Sequence, residues 1–305
     1  MSNSSELASI IEGTLKSIWP TGDASIRDYL TPMIAAFAQS DCRDDHYLDE
    51  LQSGDLSKVA ARMWEAMLYD RFHGVGWAAS NAGKGPDFLL NGNVYVEAVT
   101  AQPGNPDNGG LPKEWQEQAE GSACIVPIEM MLLRWTSVLK TKKDKHLKDI
   151  EGGRIDPNLP FVIAVNSCRL GGDTHGVGGV PLAAMAVLPF GNPTAHIDAQ
   201  TGEAIGGWHL AWQDSILKHN GESIPTDSFL NEEYRCVSAL LGCSGFYVAD
   251  ADREKFCGQP PYYIVHNPMA QNPLPKPWLP NSIEFAVTKN EPGNLELTRL
   301  PASAG

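Results

Sequence analysis

Apolar positions at the start of the chain recur at helical intervals. Leu7, Ile10, Ile11 and Leu15 keep a spacing near 3.6 within a helical stretch over 5–40. Pro20 and Gly22 interrupt it, and it resumes over 26–39. The acidic run 41–50 reads as a solvated loop. Ser57 is placed to cap a third helix reaching about Phe72, with Trp64-Glu65 near its middle. Gly74, Gly76, Gly83 and Gly85 then open a loop, followed by two short strands. Residues 101–121 mix Gly, Pro and polar groups and read as a flexible excursion. Helical spacing returns over 126–150, Gly152-Gly153 ends it, and the β-branched run 161–166 predicts a strand. Further on, the pattern predicts strands at 187–190, 208–212 and 245–248, and a helix near 232–241. A strand at 262–265, a Pro-rich loop to Pro280 and a last hairpin complete it. With no internal repeat or linker, the economical architecture is one α/β domain over 1–305.

The most informative segment is 85–100. Asn91-Gly92 between two apolar runs is a hairpin signal. A two-residue turn would pair Asp87 with Val96 and mix apolar and polar groups on both faces. A three-residue turn over 91–93 pairs Leu90 with Val94 and Phe88 with Val96 on one face. It sets Leu89 against Tyr95 and Asp87 against Glu97 on the other. Only the second register gives a wholly apolar face, so it is preferred. It also juxtaposes two carboxylates, which repel unless a cation lies between them. A divalent metal is the simplest such cation, since Mg²⁺ is commonly held by one or two carboxylates plus water and substrate phosphate. An exposed hairpin end with two solvated acids is the plain alternative.

On the helix that follows, Ile128, Met131, Leu132, Trp135 and Leu139 share an arc of about 100°. Lys142 projects into the middle of that arc, whereas Lys140, Lys143 and Lys148 do not. Arg134 and Lys145 lie just off one edge. A lysine on a core-facing stripe either snorkels past the sheet or pairs with buried carboxylates, Asp87 and Glu97 being the nearest. From Arg134 to Lys148 there are six basic residues against one acid. A metal-dependent phosphodiesterase needs this combination: carboxylates for the ion, a lysine for the water or scissile phosphate, and outer cations for the backbone.

Composition narrows the partners. The 305 residues carry 23 Lys+Arg against 37 Asp+Glu, a net charge of −14, which argues against coating nucleic acid by bulk electrostatics but not against a nuclease with a metal in its site. No apolar run is long enough to span a bilayer and no signal peptide is recognisable, so a reduced, cytoplasmic protein is expected. The cysteines at 236, 243 and 257 are spaced C-x6-C-x13-C, which matches no usual zinc pattern.

Pro86-Asp87, followed after nine residues by Glu97-Ala98-Val99, resembles the signature of the PD-(D/E)XK nuclease superfamily, whose core is helix, three-stranded meander, helix, strand. The resemblance covers about 58–168 and leaves 169–305 as a C-terminal elaboration. It implies a restriction-endonuclease-like core, a mixed sheet flanked by helices, with a helical N-terminus and a long C-terminal extension. It further implies Mg²⁺ or Mn²⁺ held by Asp87 and Glu97, with Glu65 as a third acidic ligand or base, and nucleic acid, DNA first, as substrate. Val99 stands where the family usually has lysine; some members supply it from the neighbouring helix, which makes Lys142 the candidate. Arg134 and Lys145 would contact phosphate. A member that kept the core but lost the chemistry, acting as a binding or regulatory module, is the rival reading. An unrelated small-molecule enzyme is a third. The oligomeric state is open, a homodimer included.

Other features carry less. The Gly-rich run 171–179, with His175, lacks the Lys-Ser/Thr of a phosphate-binding loop and reads as a surface flap. Gly242-Cys243-Ser244-Gly245 is not a nucleophile elbow. His266-Asn267-Pro268 reads as a structured turn at a strand end. Trp208, Trp212 and Trp278, with no basic residues interleaved, are expected to pack in the core or at its rim.

Overall fold

The computed structural model describes residues 4–18, 24–83, 85–116, 125–171, 179–245, 261–291 and 294–301. Four helices come first: α1 (Ser4–Ile18), α2 (Ala24–Ala38), the short α3 (Tyr47–Leu51) and α4 (Leu56–Gly74). An antiparallel meander of β1 (Ala79–Ser80), β2 (Phe88–Leu90) and β3 (Val94–Thr100) follows. The chain then passes through α5 (Lys113–Gln116) and the long α6 (Ile128–Glu151) to β4 (Phe161–Asn166), parallel to β3. After α7 (Leu182–Met185) come two small hairpins, β5 (Phe190–Ile197) with β6 (Ala204–Trp212) and β7 (Ser215–Leu217) with β8 (Ser223–Pro225). The last strands are β9 (Ala239–Cys243), β10 (Tyr263–His266), β11 (Ile283–Glu291) and β12 (Asn294–Arg299).

Eight strands form one mixed sheet in the order β1-β2-β3-β4-β9-β10-β11-β12. Strands β3, β4 and β9 run parallel, and β9 is antiparallel to β10. Helices α1–α4 pack on one face, over Phe88, Val96, Ala164, Leu241 and Ile264. Helices α6 and α7 cover the other, over Tyr95, Ile163, Val165, Leu240 and Val265. The central strands are therefore buried on both sides, and their near-continuous apolar sequences follow from that. Trp64 fastens α4 to the sheet, its indole N–H donating to the Ala164 carbonyl at 2.9 Å. Among the described residues no helix is long and apolar enough to cross a membrane.

The hairpin adopts the three-residue turn: Leu90 pairs with Val94, Leu89 with Tyr95 and Phe88 with Val96. Asn91, at φ 48°, turns the chain with a left-handed backbone that asparagine tolerates, and its side chain accepts from the Ala78 N–H.

Several expectations are corrected. Asp55, not Ser57, caps α4, accepting from the N–H groups of Ser57 and Lys58. The acidic run 41–50 is not all solvated loop, since it leads into α3 and contains the buried Tyr47. No helix spans 232–241; a single 3₁₀ turn, Glu232–Tyr234, precedes β9, which the doubly buried sheet position favours over a helix. Residues 187–189 are a buried turn and the strand begins at Phe190. Trp208 and Trp212 are not core: they stand 77% and 58% exposed on the β5–β6 hairpin. Trp278 is buried. The predicted strand at 245–248 falls, beyond Gly245, outside the described residues, as do His175 and Cys257. Cys42, Cys168, Cys236 and Cys243 form no disulfide. Residues 169–305 supply four of the eight strands of the main sheet.

Gly242 in β9 allows α6 and α7 to approach the sheet. A Cβ there would lie 2.7 Å from the Ala183 side chain and 3.0 Å from the Trp135 ring. Gly242→Ala is expected to lower stability by about 1–3 kcal/mol through overpacking, read as a lower midpoint in urea with unchanged slope; an unchanged midpoint would show that the two helices yield.

A carboxylate and lysine cluster between the sheet and the long helix

Odd-numbered residues of β3 point toward α6, and Glu97 is the charged one among them. It is 2% exposed. Lys142 and Lys145, three residues apart and so on one face of α6, close on it from above. Lys142 Nζ donates to Oε1 at 2.6 Å, and Lys145 Nζ reaches Oε2 at 2.7 Å and Oε1 at 2.9 Å. The angular placement of Lys142 toward the carboxylates is thus found in the structure, and Lys145, placed at the edge of the stripe, joins it.

Asp87 lies just before β2, where the strand pairing stops. Its Oδ2 accepts from the Ala98 N–H at 2.7 Å, capping a backbone group that β2 leaves unpaired. Burial first, then the Glu97 charge, pushes the Asp87 carboxyl up to about 6, against the pull of Lys142, the Ala98 N–H and Lys145. Glu65 reaches the same neighbourhood from α4. Burial, and after it the Asp87 charge, pushes it up to about 8, although Arg62 draws it down. Burial works against the charge on Lys142, but Glu97 and the two other acids outweigh it and leave its pKa above the usual lysine value.

Arg62 is the residue that sequence reading missed here. One turn before Glu65, it holds both Glu65 oxygens at 2.8 and 3.0 Å, Glu50 at 2.6 Å and Asp44 at 3.0 Å. An Arg three residues before a helical Glu was the available signal. Asp44 and Glu50 therefore belong to this charge network. His146 was also missed, and nothing in its spacing announces it. Its ring stacks on Phe161 at 3.7 Å, and burial holds it down at about 4, so it is neutral beside the cluster at neutral pH.

Two basic residues lie elsewhere. Arg134 sits about 16 Å along α6 from Lys145, donating to the Gly109 carbonyl at 2.8 Å. Lys143, expected off the buried stripe, is 2% exposed. It pairs with Glu233 and Asp144 and lies 4.8 Å from the Tyr234 ring centroid, so it anchors the C-terminal half to α6. The turn 266–268 is structural: Asn267 donates to the carbonyls of Tyr234 and Val237, and His266 bonds Glu284 at 2.6 Å.

The donors of the cluster are hard carboxylate oxygens, suited to Mg²⁺ or Mn²⁺, and Asp87 and Glu65 are raised first by burial and then by a neighbouring carboxylate, the second of which a cation would relieve. Both oxygens of Glu97, however, are held by lysine. Among the described residues no three acidic, His or Cys side chains are grouped to hold an ion. An ion here would find at most two protein carboxylates and would need its remaining ligands from elsewhere. No protein-family model, curated protein or solved structure matches this chain.

The exposures make the cluster asymmetric. The side chains of Lys142 and Lys145 are 22% and 42% exposed, against 3% for Glu97. Removing Glu97 frees two lysines that can swing into water, whereas removing both lysines strands a buried charge. The double variant Lys142→Met, Lys145→Met should lose about 3–5 kcal/mol, restored in large part by adding Glu97→Gln, with chemical denaturation as the readout. Equal loss in the double and triple variants would refute the asymmetry. Because Asp87 and Glu65 have folded pKa values above their unfolded ones, their contribution is fully present in acid and is lost as pH rises through about 6 and 8. The stability of Glu65→Gln relative to wild type, measured in chelator, should therefore grow between about pH 5 and 8, on the order of 2–4 kcal/mol. A pH-independent difference would show Glu65 ionised throughout.

Proposed function

We propose that this protein is a divalent-metal-dependent phosphodiesterase of the nuclease type, with Asp87 and Glu97 as its metal-binding carboxylates. The observation that carries the reading is the 2.6 Å contact of Lys142 with Glu97. It brings to the carboxylate pair, from the neighbouring helix, the cation that Val99 does not provide. The chain order also supports it: α4, the β1–β2–β3 meander, α6 and the parallel strand β4 follow in the sequence that a PD-(D/E)XK core requires.

A bound Mg²⁺ or Mn²⁺ would polarise the phosphoryl oxygen and lower the pKa of the attacking water. Asp87 and Glu97 would hold it. Lys142 would orient the water or neutralise charge developing on the phosphate, and Lys145 would leave a Glu97 oxygen to contact phosphate. Glu65, its carboxyl pushed up to about 8, would exchange a proton close to neutral pH as acid or base; with both its oxygens held by Arg62 it is not placed as a third ligand. Arg134, far along α6, is remote from the scissile group.

The second reading, a binding module on the same core, is favoured by one observation: both Glu97 oxygens are already neutralised by lysine. Calorimetric titration with Mn²⁺, followed by cleavage assays on DNA and RNA, separates the two. Binding lost in the Asp87→Ala, Glu97→Ala variant, together with cleavage abolished by Glu97→Ala and reduced about 10²-fold by Lys142→Ala, is the expected result. Cleavage at the wild-type rate in Glu97→Ala would overturn the assignment. Nucleic-acid retention without metal binding or cleavage would leave the binding module.

A further inference from the structure

The hairpin of β5 and β6 carries a pair of histidines that the carboxylate cluster does not use. Its strands run out of step. Thr194 faces His209 and His196 faces Ile205, so Gly206, Gly207 and Trp208 stand opposite Ala195 alone. Gly206, at φ 78°, supplies the left-handed backbone this bulge needs. A bulge re-aims a side chain toward a neighbour that regular pairing would deny it. Here it brings His209 diagonally against His196, with ring centres 5.0 Å apart and planes 25° from parallel. Both rings are exposed. Two imidazoles bound to one tetrahedral ion, with metal–nitrogen bonds of about 2.0–2.1 Å, have ring centres about 5 Å apart. The pair already stands at the separation that a shared metal requires.

Thr194 sets the protonation of one ring. Its hydroxyl donates to the His209 carbonyl at 3.3 Å and its Oγ1 lies 3.0 Å from His209 Nε2. One hydroxyl proton cannot serve both contacts. The arrangement that satisfies them has Nε2–H donating to Thr194 Oγ1, which leaves His209 Nδ1 unprotonated and able to offer its lone pair. A metal-binding histidine almost always donates its other N–H to an oxygen in this way. Imidazole nitrogens suit zinc, copper or nickel, whereas magnesium takes oxygen donors. The pair therefore differs in kind from the carboxylates of the sheet. Among the described residues no third acidic, His or Cys side chain joins it, so water or a donor from a bound molecule fills the remaining positions.

We infer that His196 and His209 form a binding site for a borderline divalent transition-metal ion, Zn²⁺ or Cu²⁺, with Thr194 as the positioning residue of His209. The probes are Zn²⁺ alone, titrated calorimetrically into the full chain, and Cu²⁺ read by electron paramagnetic resonance. Saturable Zn²⁺ binding with Kd below about 0.1 mM is expected, weakened at least about tenfold in His196→Gln and in His209→Gln. Bound Cu²⁺ should show coupling to two nitrogens, reduced to one in either variant. Thr194→Val should weaken binding about tenfold and Thr194→Ser should restore it. The two histidines are exposed, so their variants should keep the wild-type urea midpoint. His73→Gln, remote from the hairpin, should bind as wild type. Absence of saturable Zn²⁺ binding, or binding unchanged in both histidine variants, would overturn the inference. Wild-type binding in Thr194→Val would overturn the role of Thr194. Zn²⁺ binding that depends on Asp87 and Glu97 but not on the histidines would place the ion in the carboxylate cluster and overturn it as well. The nuclease reading is decided separately by Mn²⁺ and cleavage.

Discussion

The buried carboxylate of Glu97 is the constraint around which the rest is arranged. It lies in the middle of a strand covered on both faces, where an unpaired charge costs several kcal/mol. The fold offsets that cost only if α6 crosses the sheet with Lys142 and Lys145 directly over β3. That requirement fixes both the rotation and the axial position of the helix. With the lysines placed, Trp135 falls two turns earlier beside Gly242, where the absence of a side chain admits its ring. Lys143 is turned toward the C-terminal half, where Glu233 and Tyr234 receive it. One placement of α6 thus satisfies both the buried charge and the apolar packing of the second face.

The opposite face reaches the same cluster by other means. Trp64 binds α4 to the carbonyl of a central strand, and the next residue, Glu65, is carried to the edge of the sheet near Asp87. Arg62 then gathers Glu65, Glu50 and Asp44. Negative charge is crowded in the buried interior, while the cations from α6 keep partial contact with water. Such a pit with a cationic rim can stay folded without metal and still offer oxygen donors when one lysine contact is exchanged, which is how stability and the proposed chemistry coexist in one cluster.

Much of this was legible in the chain. The helix over 128–151 and the strand over 161–166 follow from sustained periodicity and an unbroken β-branched run. The hairpin register follows from Asn91-Gly92 and the need for one apolar face. Asp87, Glu97 and Lys142 could be brought together on paper because strand and helix periods are regular over the few turns that separate them. The acidic run 41–50 was misread because its partner, Arg62, is supplied by another helix. The strand β9 was misread because a short apolar segment buried on both faces has no period of its own.

What the sequence determined by itself are the local periods: which segments coil, which extend, and which faces of them are apolar. Tertiary structure alone decided that Lys143 is buried and Trp208 exposed, and that residues 169–305 complete the main sheet. The reason is physical. Periodicity is a property of neighbours within a few residues, whereas the burial of a charge or an aromatic ring depends on which distant surface covers it.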